Sequence, residues 1–245
     1  MTKEANSGQV EYWNSAAGDK WTTNQERLDR LLSLVTNRLF ERMAIQPGER
    51  VIDIGCGTGA SALRAAQAVG PDGQVFGVDI SEPMLGLARK RAEGVDNLNL
   101  EIADAQSHGF EPDAYDLLQS RFGVMFFADP TAAFANLLTA LRPGGRMEFV
   151  CWAAMVDNPW FMIPRNAAAH HLGEPEPLPP RAPGPTAFAE ADYVMEILHD
   201  AGFGEVRVDT EACELIGADS IANTAALAVN IGPAARIMKL YEPSP

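Results

Sequence analysis

Nine residues constrain this chain more than any others: VIDIGCGTG at positions 51–59, followed by an alanine-rich stretch. Val51, Ile52 and Ile54 make a short, nearly continuous apolar run, the pattern of a strand buried on both faces of a parallel sheet. Glycines at 55, 57 and 59 allow a tight turn and let a ligand lie against the main chain with no Cβ in the way. Residues 60–69 are helix formers, stopped by Gly70-Pro71. A strand, a glycine turn and a helix in that order put the turn where open α/β sheets bind their ligands.

The alternation continues. Residues 74–80 read as a second strand, and Ser81 can cap a helix that has Pro83 in its first turn and runs to Gly94. Residues 98–102 and 115–120 read as two more strands, 131–141 as a helix, and 146–151 as a fifth strand after Pro143-Gly144-Gly145. Such alternation implies right-handed crossovers, so residues 44–151 are expected to form a Rossmann-like α/β core: a doubly wound, mostly parallel sheet with helices on both faces. Residues 25–43 carry Leu28, Leu31, Leu32, Val35, Leu39 and Phe40 at helical spacing and complete an N-terminal helical cap, 1–43. Eight of the 17 prolines fall between Pro159 and Pro185, marking 152–189 as a lid inserted after the fifth strand. Residues 190–245 are expected to complete the domain as helix, strand and helix, with the strand at 204–210 and helix over 220–240. The chain closes on Glu242-Pro243-Ser244-Pro245 with no obvious final strand, which leaves open whether the natural protein extends further.

A chain of 245 residues, 47% of them hydrophobic, can build one sizeable core. Its formal charge of −14 sets up a field that repels phosphate backbones and anionic headgroups, so neither nucleic acid nor a membrane surface is an expected partner. Cys56, Cys151 and Cys213 are odd in number, far apart and without ligand spacing, reading as reduced thiols of a cytoplasmic protein. No run is long and apolar enough for a membrane span, and the polar opening lacks a leader pattern. Oligomeric state stays open, with a homodimer as one option.

The glycine turn alone is ambiguous, because Gly55-x-Gly57-x-x-Ala60 also fits a dinucleotide site and Asp79 ends the next strand. Asp79 can take both hydroxyls of a ribose, which specifies adenosine without saying which adenosine cofactor; its alternative is to cap the helix beside Ser81. Asp53 shifts the balance, since a carboxylate there suits the ammonium of an amino-acid tail and repels a pyrophosphate. Asp104, in the loop after the third strand, could accept from the adenine amino group while the next backbone N–H donates to the ring.

Five segments in order, VIDIGCGTG, VDIS with Pro83-Met84, ADAQ, YDLLQSRFGVMFF and LRPGGR, resemble the class I S-adenosylmethionine-dependent methyltransferases in their small-molecule, type 11 branch. The resemblance implies that Gly55, Gly57 and Gly59, with Cys56 between them, cradle the methionine part of S-adenosylmethionine. It further implies that Asp79 takes the ribose, that Ile80 and Met84 pack on adenine, and that Asp104, Ala105 and Gln106 form its edge. Ser120 and Arg121 would line the boundary between cofactor and substrate. Arg121 could hold the cofactor's carboxylate or a substrate acid, or pair structurally with Asp116 or Glu148. No Asn-Pro-Pro-Tyr follows the fourth strand, which disfavours the DNA-adenine and protein-glutamine branches, and no acid-and-lysine cluster suggests a metal.

Transfer from a sulfonium to a small molecule is an in-line displacement that needs alignment and exclusion of water, and a base only if the acceptor must lose a proton. His170 and His171 are the candidates for that base. Tyr12, Trp13, Trp152, Trp160 and Phe161 are expected to wall an apolar or aromatic metabolite, with Trp21 beside the cofactor. The competing readings are an NAD-dependent oxidoreductase and a non-catalytic S-adenosylmethionine-binding protein.

Overall fold

The computed structural model describes residues 6–241. Four helices, Ser7–Trp13 (α1), Ala16–Thr23 (α2), Gln25–Leu31 (α3) and Ser33–Met43 (α4), lead into the first strand, Arg50–Ile54 (β1). Ala60–Val69 (α5), Gln74–Asp79 (β2), Glu82–Arg91 (α6), Leu98–Ile102 (β3), Tyr115–Arg121 (β4), Pro130–Ala140 (α7) and Leu141–Val150 (β5) follow. The chain then continues through Pro159–Leu172 (α8), Ala191–Asp200 (α9), Ile221–Asn230 (α10) and Pro233–Leu240 (α11). All strand pairs are parallel and the order is β3-β2-β1-β4-β5, as the alternation predicts. The order reverses between β1 and β4, and the crevice this opens lies at the glycine turn.

Alternation along β1 explains why both faces need cover. Val51 packs with Met43, Ala65 and Leu85 in one core cluster, whereas Ile52 and Ile54 pack with Leu118, Phe134 and Ile197 in the other. Asp53 points to the first side and is fully buried. Ser81 caps α6 by accepting the Met84 N–H, and Asp129 caps α7 by accepting the Ala132 N–H.

Three local expectations need correction. Residues 25–43 are two helices, broken at Leu32 (φ −93°, ψ 7°), and the Leu31 carbonyl there accepts the Ile216 N–H at 3.1 Å. Residues 204–210 form no strand. Val206 and Val208 do pack against the core, but the segment is held by ion pairs from α4, Arg42 to Asp209 at 2.8 Å and Arg38 to Glu211 at 2.8 Å, with no ladder to β5. Strand β5 starts at Leu141 rather than 146, its register jumping from Tyr115↔Leu141 to Leu117↔Arg146 while the intervening Pro-Gly-Gly loops out. The helical reading of 220–240 holds, with Gly232-Pro233 separating α10 from α11. Residues 242–245 lie outside the described residues, and no helix among those described is long and apolar enough to cross a membrane.

The N-terminal helices are latched onto the sheet's ligand end. Asn14 Nδ2 donates to the Ile80 carbonyl at 2.8 Å, its Oδ1 accepts the Glu82 N–H at 2.8 Å, and Ser81 Oγ donates to the Trp13 carbonyl at 2.8 Å. Asn6 Nδ2 donates to Asp104 Oδ1 at 2.9 Å, and its Oδ1 accepts the Ala128 N–H at 3.0 Å. Gly18 makes the first latch fit: a Cβ there would lie 2.2 Å from the Trp13 oxygen and 2.9 Å from Ser81 Oγ and Pro83 Cγ. Gly18→Ala is therefore expected to cost about 1–3 kcal/mol and lower Tm by roughly 3–10 °C in a thermal melt. A Tm within about 1 °C of the parent would contradict this close seating.

Candidate active site

The site is built around one carboxylate. Asp79 Oδ2 accepts the Gly57 N–H at 2.7 Å and Oδ1 accepts the Ser81 N–H at 2.8 Å, so it joins the glycine turn to the loop that caps α6. Burial pushes its pKa up, against the pull of these backbone donors. Gly55 (φ +64°) must be glycine for a second reason: a Cβ would sit 2.7 Å from Gly123 Cα, in the turn after β4. A side chain at Gly57 (φ +55°) would instead strike Met84 Cε at 2.8 Å.

A cavity of about 1350 Å³ opens above these turns. Its lining brings together Trp21, Gly55, Cys56, Gly57, Asp79, Ile80, Met84, Asp104, Ala105 and Arg121 from the predicted cofactor set, and Tyr12, Trp13, Trp152, Trp160 and Phe161 from the predicted substrate wall. The aromatics fall into two groups. Trp13 meets Tyr12, Trp21 and Phe126 edge-on, with centroids 5.1–6.1 Å apart. Trp152 stacks on Phe122 at 4.5 Å and 10° and meets Phe161 at 4.7 Å. Pro175, Pro177 and Pro183 and the face of α11 around Arg236 close the remaining side, Arg236 Nη2 donating to the Glu176 carbonyl at 2.8 Å.

Beneath the turn lies a buried polar nook. Asp53 Oδ2 accepts the Ser61 hydroxyl at 2.7 Å, but Oδ1 has no partner among the described residues, and neither has either amide atom of its β4 neighbour Gln119. Burial raises the Asp53 pKa to about 7, with the Ser61 hydrogen bond and Arg121 opposing. Arg121 is also deeply buried, which lowers its pKa; Nη1 donates to Thr36 Oγ1 at 2.9 Å and Nη2 lies 3.7 Å from Asp29. Its partners are thus on the N-terminal helices, not Asp116 or Glu148. Asp116 instead pairs with Arg142 and accepts the Arg50 N–H.

Several predicted site residues stand elsewhere. His170 and His171 are exposed at the carboxyl end of α8, outside the cavity lining, because the lid helix turns its last residues to solvent. Ser120 is fully buried and ties strand ends, donating to the Ile54 carbonyl at 2.7 Å and accepting the Gly123 N–H at 3.1 Å. Gln106 turns away and accepts the Asp129 N–H at 3.0 Å. Gly59 starts α5 and gives room to Ala88, 3.1 Å from where its Cβ would be. Asp53 lies below the cavity rather than in its wall.

A family model described as a methyltransferase domain matches residues 45–202. The aklanonic acid methyltransferase DauC of Streptomyces sp. (strain C5) is 34% identical over 209 residues, covering 80% of this chain and 94% of its own. This chain belongs to the S-adenosylmethionine-dependent methyltransferases. The nocamycin O-methyltransferase of Saccharothrix syringae is 32% identical over 199 residues, 74% of this chain and 68% of its own. A solved S-adenosylmethionine-dependent methyltransferase from Aquifex aeolicus shares the fold, with a TM-score of 0.55 at 17% identity over 82% of this chain and 89% of that one. The dinucleotide reading that the glycine turn left open is thereby set aside.

The residues of this methyltransferase fit an adenosyl sulfonium better than a dinucleotide. Asp79 and Asp104 flank Ile80 and Met84 in one wall, and Asp53 stands under the turn where a pyrophosphate would need positive potential. The sequence reading passed over Phe126 and Phe122 as site residues, the latter with a left-handed backbone (φ +63°) and its ring stacked on Trp152. It also passed over Asn6, Gln9 and the α11 face, which reach the cavity only through long-range packing. The unpaired Asp53 gives a pH test. Between about pH 4 and 7 the native state holds a proton that the unfolded chain has lost, so parent stability falls as pH rises through that window. The stability of Asp53→Asn relative to the parent should therefore grow between pH 5 and pH 8, by about 2–3 kcal/mol in urea unfolding. A difference independent of pH would contradict the buried, unpaired carboxyl.

Proposed function

We propose that this methyltransferase acts on a small, mainly apolar or aromatic metabolite by direct in-line displacement. The observation that carries the reading is the cavity itself. At about 1350 Å³ it exceeds the range usual for a single small ligand, about 300–1,000 Å³, and aromatic rings from three separate chain segments line it. That is room for a cofactor and a multi-ring acceptor together. The acceptor named for DauC is aklanonic acid, and an acid of that kind suits both the rings and the Arg121 guanidinium.

S-adenosylmethionine, when bound, supplies a methyl group activated by the positive charge on its sulfur. The chain's own part is to orient and to exclude water. Asp79, its carboxylate already aligned by two backbone N–H groups, offers its remaining lone pairs to the ribose hydroxyls. Asp104 and the Ala105 N–H read the adenine edge, with Ile80 and Met84 against its faces. The glycine turn leaves its backbone open to the methionine part, and Arg121 in the cavity wall offers a positive charge beside it. No base is assigned to His170 or His171, since both face solvent. Residues 6–43 act as a cap and 152–189 as a lid, closing on the two aromatic groups. The three unpaired cysteines accord with the cytoplasm.

Calorimetric titration and turnover test this reading together. The parent should bind S-adenosylhomocysteine but not NAD, and should form S-adenosylhomocysteine from S-adenosylmethionine in the presence of polycyclic aromatic acids. Asp79→Ala, with its fold checked by circular dichroism, should lose on the order of 2–4 kcal/mol of S-adenosylhomocysteine binding. Undiminished binding by that variant would remove the ribose role, and turnover confined to small polar amines would overturn the acceptor class.

A further inference from the structure

The cavity is richer in positive charge than the chain that forms it. Six of the residues lining it are cations and five are acids, although the chain carries a formal charge of −14. Two of those cations are committed elsewhere: Arg121 to Thr36 and Asp29, and Arg181 to Glu190, with its guanidinium 4.0 Å from the centre of the Tyr193 ring. Arg236 differs. Its Nη2 donates to the Glu176 carbonyl at 2.8 Å and it makes no ion pair among the described residues, which leaves most of its N–H donors unspent.

Arg165 stands at the same level. Phe161 packs on Gly232 at the start of α11, its ring 3.7 Å from where a Cβ would lie, and Gly173 after α8 abuts the Tyr241 hydroxyl after α11. The two helices therefore run parallel, and Arg165 and Arg236 each follow the first contact by one helical turn. Both line the cavity and both reach the same short piece of the strap, Arg165 at the Glu174 carboxylate and Arg236 at the Glu176 carbonyl. The Arg165 side chain is 23% exposed and that of Glu174 65%, so this pair leaves the cation sheltered and the acid largely in water.

Aromatic rings connect these guanidinium groups with the glycine turn. Phe122, beside the Gly123 that abuts Gly55, stacks on Trp152 at 4.5 Å; Trp152 meets Phe161 at 4.7 Å, and Arg165 is one turn beyond Phe161. A flat multi-ring molecule laid along this row has one edge beside the cofactor and the other at the two arginines. We propose that Arg165 and Arg236 form a subsite for a carboxylate on the acceptor, at the end opposite the atom that receives the methyl group. The assignment rests on reading the acceptor as a multi-ring aromatic acid. With Arg121 beside the methionine part of the cofactor, the acceptor's own charge needs separate cations. Two guanidinium forks on packed helices fix both the position and the direction of a planar carboxylate, and Lys239 on α11 adds positive potential.

The test uses anthracene carboxylate and its neutral carboxamide, followed by fluorescence as each is titrated into the full chain saturated with S-adenosylhomocysteine. The parent should bind the acid at least about 10-fold more tightly than the amide. Arg165→Gln and Arg236→Gln should each weaken the acid about 5- to 10-fold and leave the amide within about 2-fold, the unchanged amide showing that the fold is intact. Arg181→Gln, which removes a lining cation with its own partner, should change neither ligand. Equal weakening of acid and amide would make the two arginines packing residues and overturn the proposal, as would no change in either. Weakening of the acid to the same extent by Arg181→Gln would replace the subsite with a diffuse field and overturn it too. A parent that binds acid and amide equally would remove the anion subsite and leave the apolar acceptor class standing. A parent that binds neither would overturn that class, and this inference with it.

Discussion

Two hydrogen bonds to Asp79 organise everything at the carboxyl end of the sheet. By accepting from Gly57 on one side and Ser81 on the other, this carboxylate fixes the glycine turn relative to the loop that caps α6. Ser81 in turn donates to the Trp13 carbonyl, so the same short chain of bonds reaches the N-terminal helices. A half-buried carboxylate is costly unless its lone pairs are used, and the backbone donors meet part of that requirement before any ligand arrives. The site is therefore largely pre-organised where the adenosine would lie, and ligand binding need not remodel the loops to align them.

The acceptor side is built differently. Rings from the N-terminal helices and from the segment after β5 line the cavity, and the proline-rich strap beside them is held by Arg236 on the Glu176 carbonyl, by the Gly184 N–H on the Met125 carbonyl and by partly exposed ion pairs. Arg181 to Glu190 at 2.8 Å is one such pair, and Arg165 to Glu174 is another. Exposed pairs of this kind contribute little stability, so the strap rests mainly on its few hydrogen bonds to α11 and to the segment after β4.

What the sequence disclosed follows the range of the forces involved. The five strands were legible because each is a local apolar run bounded by glycine or proline, and the ligand end of the sheet followed from connectivity. The alternation of Val206 and Val208 correctly signals an extended, half-buried segment, but a ladder needs a partner edge, and Arg38 and Arg42 hold this segment by its acids instead. The break at Leu32 was invisible because its cause, the N–H of Ile216, comes from far along the chain. Within the site, Asp79 and Asp104 stood at strand ends and could be named. His170 and His171 could not be placed, because the facing of the lid helix depends on packing against α11. Phe122 could have been suspected from its position directly after Arg121 and before a glycine that abuts β1.

The central claim is that the N-terminal helices and the core loops form one cofactor site. Hydrogen exchange of the full chain, with and without S-adenosylhomocysteine, tests it most directly. The account predicts that added protection appears together in residues 55–59, 79–84 and 103–106 and in residues 7–23. Protection confined to the core loops, with residues 7–23 exchanging as in the free protein, would contradict it.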